Sequence, residues 1–210
     1  MTKILIAPNA FKGTLSAAAA AKAMHVGVAA FAAEADRKFA VTIAPLADGG
    51  DGTVLALQAG AGGQVHQAFV QGALGEPACA LWLELDNLAV VELASACGIA
   101  CLPPLRQPLV ASTWGLGEVI EIVLRSGSFA EVVVAVGGSA STDGGSGALA
   151  ALGARFFGGD GRLLSVCGGG TLPEIASCDL AALSALTAAC RFRVATDVLS
   201  PLCGPHGAAQ

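Results

Sequence analysis

The sequence predicts an α/β protein, with a parallel strand–helix–strand unit followed by a region built on an antiparallel meander. Three observations carry this. "KILIA" (3–7) and "FAVTIA" (39–44) are short runs rich in Ile and Val, each leading to a proline with polar or glycine-rich residues beyond. Between them lies an Ala-rich helical stretch from about Leu15 to Glu34, and strand, helix, strand in that order implies a parallel pair. "QVHQAFV" (64–70), "ACALWLEL" (78–85) and "LAVVEL" (88–93) then follow one another through the turns "GALGEP" and "DN", the pattern of a meander.

The remaining elements follow in order. After Gly49-Gly50 a second helix is expected from Thr53 to Gln58. The change to consecutive strands near residue 65 sets the expected domain boundary, dividing the chain into 1–65 and 66–210. "LPPLRQPLVAST" (102–113) is a proline-broken loop. It leads into a helix whose apolar residues fall at 116, 119, 120, 123 and 124, one face of a 3.6-residue period. A strand is expected at 131–136, then a glycine-rich loop, a small-residue helix at about 146–153, and a short strand near "ARFF". A last strand lies within "FRVATDV" (192–198).

Composition excludes several classes of function. The 210 residues are 54% hydrophobic and carry a formal net charge of −5, with only 11 Lys plus Arg. A nucleic-acid surface needs a clustered basic patch, which is missing. The mean hydropathy of +0.69 suggests a membrane protein. Its most apolar long run, however, is mostly alanine and is interrupted by Lys22 and His25, so no membrane span is expected. No basic stretch runs into an apolar segment and a cleavage site, which points to a soluble, cytoplasmic chain. The seven cysteines form no C-x-x-C pair, and most sit in apolar contexts, as buried free thiols do. The three histidines have no motif around them, and G-x-S-x-G is absent.

Ligands of parallel α/β sheets sit beyond the carboxyl ends of the strands, and four polar loops occupy such positions. They are "PNAFKGT" (8–14), "PLADGGDGT" (45–53), "GGSASTDGG" (137–145) and "ATDV" (195–198). Gly137 and Gly138 allow close approach of the backbone, and Gly144 and Gly145 open the following helix. Ser139, Ser141 and Thr142 add hydroxyls, and Asp143 adds a carboxylate able either to bind Mg²⁺ or to cap that helix. Asp48 and Asp51 suit a cation or a substrate hydroxyl. Lys12, without an acidic neighbour in sequence, suits a phosphate or carboxylate. Asp197 follows an apolar strand, where a carboxylate needs a partner. "GSGALA" (145–150) matches a dinucleotide fingerprint, but it begins nine residues past its strand, and "ARFFGG" lacks the acidic residue a dehydrogenase needs. A lysine, acidic loops and a glycine–serine cradle together form the inventory of phosphoryl transfer. A noncatalytic nucleotide- or phosphometabolite-binding module would use the same cradle.

The whole set also resembles a known family. "ILIAPNAFKGTLSA", "PLADGGDGT", "VELASACGI", "STWGLGE", "VGGSASTDGGSG", "CGGGTLPEI" and "ATDVLSPLCGPHGA" appear in the order and spacing of the glycerate kinases of the glyoxylate/galactarate type. That resemblance implies ATP-dependent phosphorylation of D-glycerate to 2-phosphoglycerate with Mg²⁺. It also implies a flavodoxin-like α/β domain carrying an inserted, restriction-enzyme-like mixed α/β domain. By position, Lys12, Asp48, Asp143 and Asp197 are the implied catalytic residues, and Asp143 and Asp197 the implied Mg²⁺ ligands. Gly137, Gly138, Ser139, Ser141, Thr142, Gly144 and Gly145 would hold ATP, and Lys12, Asp51 and Arg106 would hold glycerate. The chain departs from the family at Asn9-Ala10, where Asp-Ser is usual, and at Gln107, where Asn is common. Members of the family are longer, so this chain is expected to leave the inserted domain incomplete and the first two strands short of partners. In isolation it is expected to be poorly soluble, oligomeric or inactive.

Overall fold

The computed structural model describes residues 1–102, 107–127, 129–166, 168–199, 201, 204–205 and 207, so Arg106 lies outside the described residues. Strand β1 (Thr2–Ile6) pairs in parallel with β2 (Phe39–Ile43), with Ile6 opposite Ile43. Helix α1 (Ala17–Glu34) connects them, its start fixed by Ser16, whose Oγ accepts the Ala19 N–H at 3.2 Å. Helix α2 (Thr53–Ala61) follows β2 and stops at Gly62 (φ +82°).

The second sheet has five strands in the order β3-β4-β5-β6-β9. β3 (Gln64–Gln71), β4 (Pro77–Leu85) and β5 (Leu88–Glu92) form the expected antiparallel meander. β6 (Glu131–Ala135) and β9 (Arg191–Ala195) then add in parallel. β5 is buried on both faces, which explains its unbroken apolar run. Val91 packs into the main core with Val119, Val123 and Val132, while Val90 meets Leu83 and Val54 on the other face. Val119 and Val123 come from α4 (Trp114–Ser126), whose apolar stripe covers the first face. Val54 comes from α2, so this helix, on the N-terminal side of residue 65, is part of the second sheet's packing.

Some elements differ from the sequence expectation. β6 ends at Ala135, one residue before the expected end, and beyond it the Gly137 N–H goes to the Gly49 carbonyl at 2.8 Å. β9 also stops at Ala195, leaving Thr196 and Asp197 in the loop beyond. Helix α5 closes earlier than expected, at Ala151 (Ser146–Ala151). The short helices α3 (Leu93–Cys97) and α6 (Ala181–Thr187) were not foreseen, nor was β8 (Ser177–Asp179), which pairs with β7 (Arg155–Phe157). The thiols also need correction. The five described cysteines are free, but only Cys97 is fully buried, where desolvation lifts its thiol to about 11; Cys79, Cys101 and Cys178 are exposed. Among the described residues, no helix is long and apolar enough to cross a membrane.

Candidate functional site

The carboxyl ends of the parallel strands meet on one side of the molecule. Glu92, Ala135 and Ala195 stand in one row at the ends of β5, β6 and β9. The loop after β2 is fastened to that row by backbone, since the Gly137 N–H donates to the Gly49 carbonyl at 2.8 Å. A Cβ at Gly137 would lie 2.8 Å from the Gly50 Cα, and one at Gly49 would lie 2.8 Å from the Ala195 carbonyl oxygen. Only glycines let the three chain segments touch, so these residues serve loop-to-loop contact. The Gly137 N–H is engaged in that contact rather than presented to a ligand.

Two clefts flank this junction. The first, of about 550 Å³, is lined by Asn9, Lys12, Thr14, Ser16, Asp48 and Asp51, with Gly138 at its edge. Its carboxylate geometry is fixed from two sides. Asn9 Nδ2 donates to Asp48 Oδ2 at 3.0 Å, and the Gly50 N–H donates to Asp48 Oδ1 at 3.2 Å. Asn9 Oδ1 accepts the Ala10 N–H at 2.7 Å, which fixes the amide so that its nitrogen faces Asp48. The Asn9 hydrogen bond, then the Gly50 N–H, hold the Asp48 carboxyl below the usual aspartate range, and the charge of Lys12 adds to this. Asp51 and Lys12 are exposed to the same cleft.

The second cleft, of about 440 Å³, has an apolar floor of Leu93, Leu116 and Val136 under Ser139, Ser141, Thr142, Gly144 and Gly145. The hydroxyls form a chain in which Ser139 and Ser141 share a hydrogen bond at 3.0 Å and Ser141 Oγ donates to Asp143 Oδ1 at 3.2 Å. Thr142 is turned away, donating to the Pro108 carbonyl at 2.8 Å. Ser146 Oγ, at the first turn of α5, is buried with no hydrogen-bond partner.

Asp143 is only 1% exposed and is surrounded by donors. Oδ2 accepts the Thr113 N–H and Thr113 Oγ1, both at 2.8 Å, and the Gly147 N–H at 3.2 Å. Oδ1 accepts the Gly145 N–H at 3.0 Å in addition to Ser141. The carboxylate therefore ties the first turn of α4 to that of α5, satisfying N–H groups neither helix can satisfy alone. Its lone pairs are fully engaged, which does not fit a Mg²⁺ ligand. Asp197 is exposed and lines a different groove, together with Asp48, Gly49 and Ala195. Among the described residues, no three His, Cys, Asp or Glu side chains cluster as a metal site. Asp143 lines the second cleft and Asp197 the other groove, so the two share no cleft lining.

The sequence reading missed two contributors. Glu92 is 5% exposed at the end of β5 and accepts the N–H groups of Gly52 at 3.1 Å and Val54 at 2.9 Å. Its signal was a lone charge closing an otherwise apolar strand. Thr113, the partner of Asp143, gave no signal beyond its place before a helix. Neither described histidine lines these clefts. His66 pairs with Glu84 at 2.8 Å and stacks on Trp82, and His25 is exposed on α1.

Fold and clefts define a mixed α/β protein with two clefts beside its strand-end loops. Comparison with known proteins gives the family. The profile described as the glycerate kinase family matches residues 4–210. "Glycerate kinase" of Bacillus subtilis (strain 168) is 40% identical over 210 residues, covering 98% of this chain and 53% of that protein. "Glycerate 2-kinase" of Escherichia coli (strain K12) is 38% identical, covering 99% and 54%. A crystal structure from Salmonella typhimurium LT2, provisionally named glycerate kinase 2, superposes with a TM-score of 0.81 at 36% identity, covering 99% of this chain and 55% of that one. The chain belongs to the glycerate kinase family, and it spans about half the length of the curated relatives it matches.

Proposed function

We propose that the chain carries the acceptor-substrate site and part of the nucleotide site of an ATP-dependent glycerate kinase forming 2-phosphoglycerate. One observation carries this reading. The Gly137–Gly49 hydrogen bond sets a cleft with one lysine and two aspartates directly beside a cleft of serines and glycines. A small hydroxy acid suits the first, where Lys12 provides a point charge for its carboxylate. ATP suits the second, with Ser139 and Ser141 directed at phosphate oxygens and the apolar floor beneath. Arg106 remains a candidate for the glycerate carboxylate.

In the proposed reaction the glycerate hydroxyl oxygen attacks the γ-phosphorus. A new O–P bond forms as the bond to the bridging oxygen breaks, and ADP leaves with that electron pair. Asp48, held ionised by Asn9 and Gly50, accepts the hydrogen bond of the attacking hydroxyl and so aims its lone pair. A carboxylate this acidic orients the hydroxyl, and the proton passes on to solvent once transfer is under way. Asp51 would take the second hydroxyl. No step is assigned to Asp143, whose bonds are those of a helix clamp, and none is routed through Mg²⁺.

The strand–helix–strand start supports a portion of a flavodoxin-like layer, and the mixed five-stranded sheet supports the inserted domain. Free, exposed thiols support a cytoplasmic setting. The deciding experiment incubates the chain with ATP, Mg²⁺ and D-glycerate and follows the products by ³¹P NMR. A phosphoglycerate doublet is expected, its proton coupling reporting the 2-position. If ATP and glycerate both bind at equilibrium but no such signal forms, the noncatalytic binding module replaces the kinase for this chain.

A further inference from the structure

Helix α2 begins without a capping side chain. Its N-cap is Gly52, in the left-handed region at φ +82°, and no side chain there accepts an N–H. The N–H groups of Gly52 and Val54 instead reach Glu92, at the end of β5. This arrangement is unfavourable on its own terms. Glu92 is 5% exposed and, among the described residues, has no ion-pair partner, so the cap costs the burial of a titratable group. A side chain at position 52 would be strained at φ +82°, so glycine turns the chain there, in the lining of the first cleft. Capping from beneath leaves the cleft open and ties its acidic loop to the middle strand of the five-stranded sheet.

We infer that Glu92 is a positioning residue for the acceptor substrate, holding the Asp48–Gly52 loop at the height where Asp48 and Asp51 meet a small hydroxy acid. The inference rests on the reading of the first cleft as the glycerate site. It acts through backbone alone, since Glu92 does not line that cleft. The loop then has two anchors of different kinds: the Gly49–Gly137 hydrogen bond at one end and the Glu92 carboxylate at the other. Between them lie Gly50 and Asp51, with the Gly50 carbonyl also accepting Thr53 Oγ1 at 2.7 Å.

The test uses Glu92→Ala and Glu92→Gln in the full chain, with two readouts. Amide hydrogen exchange is followed at Gly52 and Val54 against Val132–Ala135 of β6, and the affinities for D-glycerate and ATP are measured separately. In E92A the Gly52 and Val54 amides are expected to exchange tenfold faster or more, with β6 unchanged. D-glycerate binding is expected to weaken at least fivefold and ATP binding less than twofold. E92Q, whose amide oxygen still accepts one of the two N–H groups, should fall between wild type and E92A. Unchanged protection at Gly52 and Val54 in E92A overturns the inference. So does an equal loss of both affinities, since that is general damage rather than positioning. If the exchange result is as expected but the wild-type chain binds no glycerate, the clamp stands and the reading of the cleft as a glycerate site fails.

Discussion

Asp143 shows how a residue of catalytic appearance can belong to the scaffold. Five donors converge on one buried carboxylate. Replacing it with Asn turns an NH₂ group toward several of them and leaves buried N–H groups of α4 and α5 unpaired. Asp143→Asn is expected to lower the unfolding free energy by about 3 kcal/mol, measured by urea denaturation. A metal ligand would behave differently, with Mg²⁺-dependent binding falling while stability held. Glu92 makes a pH prediction. Burial pushes its carboxyl above the ordinary glutamate range and the Asp51 charge adds to this, while the Val54 and Gly52 N–H groups oppose it. A folded-state pKa above the unfolded one gives a stability contribution fully present below the unfolded value and lost as pH rises through the folded value. Glu92→Gln does not titrate, so the wild-type advantage over E92Q is expected to shrink as pH rises above the ordinary glutamate pKa. Paired thermal melts across that range check it, and a widening gap refutes it. Asp48 has the opposite sign, its contribution being present above the ordinary aspartate pKa and lost as pH falls through the depressed one. Asn9→Ala removes the largest cause, so a ¹³C NMR titration should find the Asp48 carboxyl moved up. At this scale the sequence singled out Asp48, Asp51 and Lys12 because they sit in short loops at strand ends, and all three line the first cleft. It could not divide the two roles it allowed Asp143. That choice depends on Thr113, thirty residues away in the chain and one hydrogen bond away in space.

Elements were legible where one face or both faces of a long run are buried. The β5 run and the α4 stripe declared themselves through apolar pattern alone. α3, α6 and β8 have five, seven and three residues, too few for a period to register, and β8 exists only because β7 offers it an edge. The glycine-rich character of α4 also had a meaning that periodicity cannot reveal. Gly117 lets α4 lie against α5, where an added Cβ would overlap the Ala148 carbonyl and stand 2.7 Å from the Ala151 Cβ. Two effects oppose each other in Gly117→Ala. Helix propensity favours Ala by about 1 kcal/mol, whereas overpacking costs about 1–3 kcal/mol. The contact is with backbone at the clamp Asp143 also holds, so the cost should win. A net loss of about 1 kcal/mol or more is expected by chemical denaturation, and a stabilised variant would show that the helices move apart freely.

At the scale of the whole molecule, the two clefts stand side by side because the loops after β2 and β6 meet through the Gly137–Gly49 hydrogen bond. The same arrangement leaves much apolar surface uncovered. Leu5, Phe31 and Val26 of the β1–α1–β2 unit are 66%, 54% and 59% exposed, and Val194 on β9 is 61% exposed. β9 pairs only with β6, so among the described residues its outer edge carries unpaired backbone groups beside that valine. Apolar residues on an open edge strand are a template for pairing with another chain. Self-association is therefore expected at micromolar concentration, seen by sedimentation velocity as species above the monomer mass. Val194→Lys places a charge on the open strand, which hinders edge-to-edge pairing, and should shift the distribution toward monomer. A wild-type chain that sediments as a single monomer would mean that these surfaces are covered within the chain itself. A V194K variant as associated as wild type would instead locate the contact on the β1–α1–β2 unit, whose exposed Leu5, Val26 and Phe31 form the other open apolar surface.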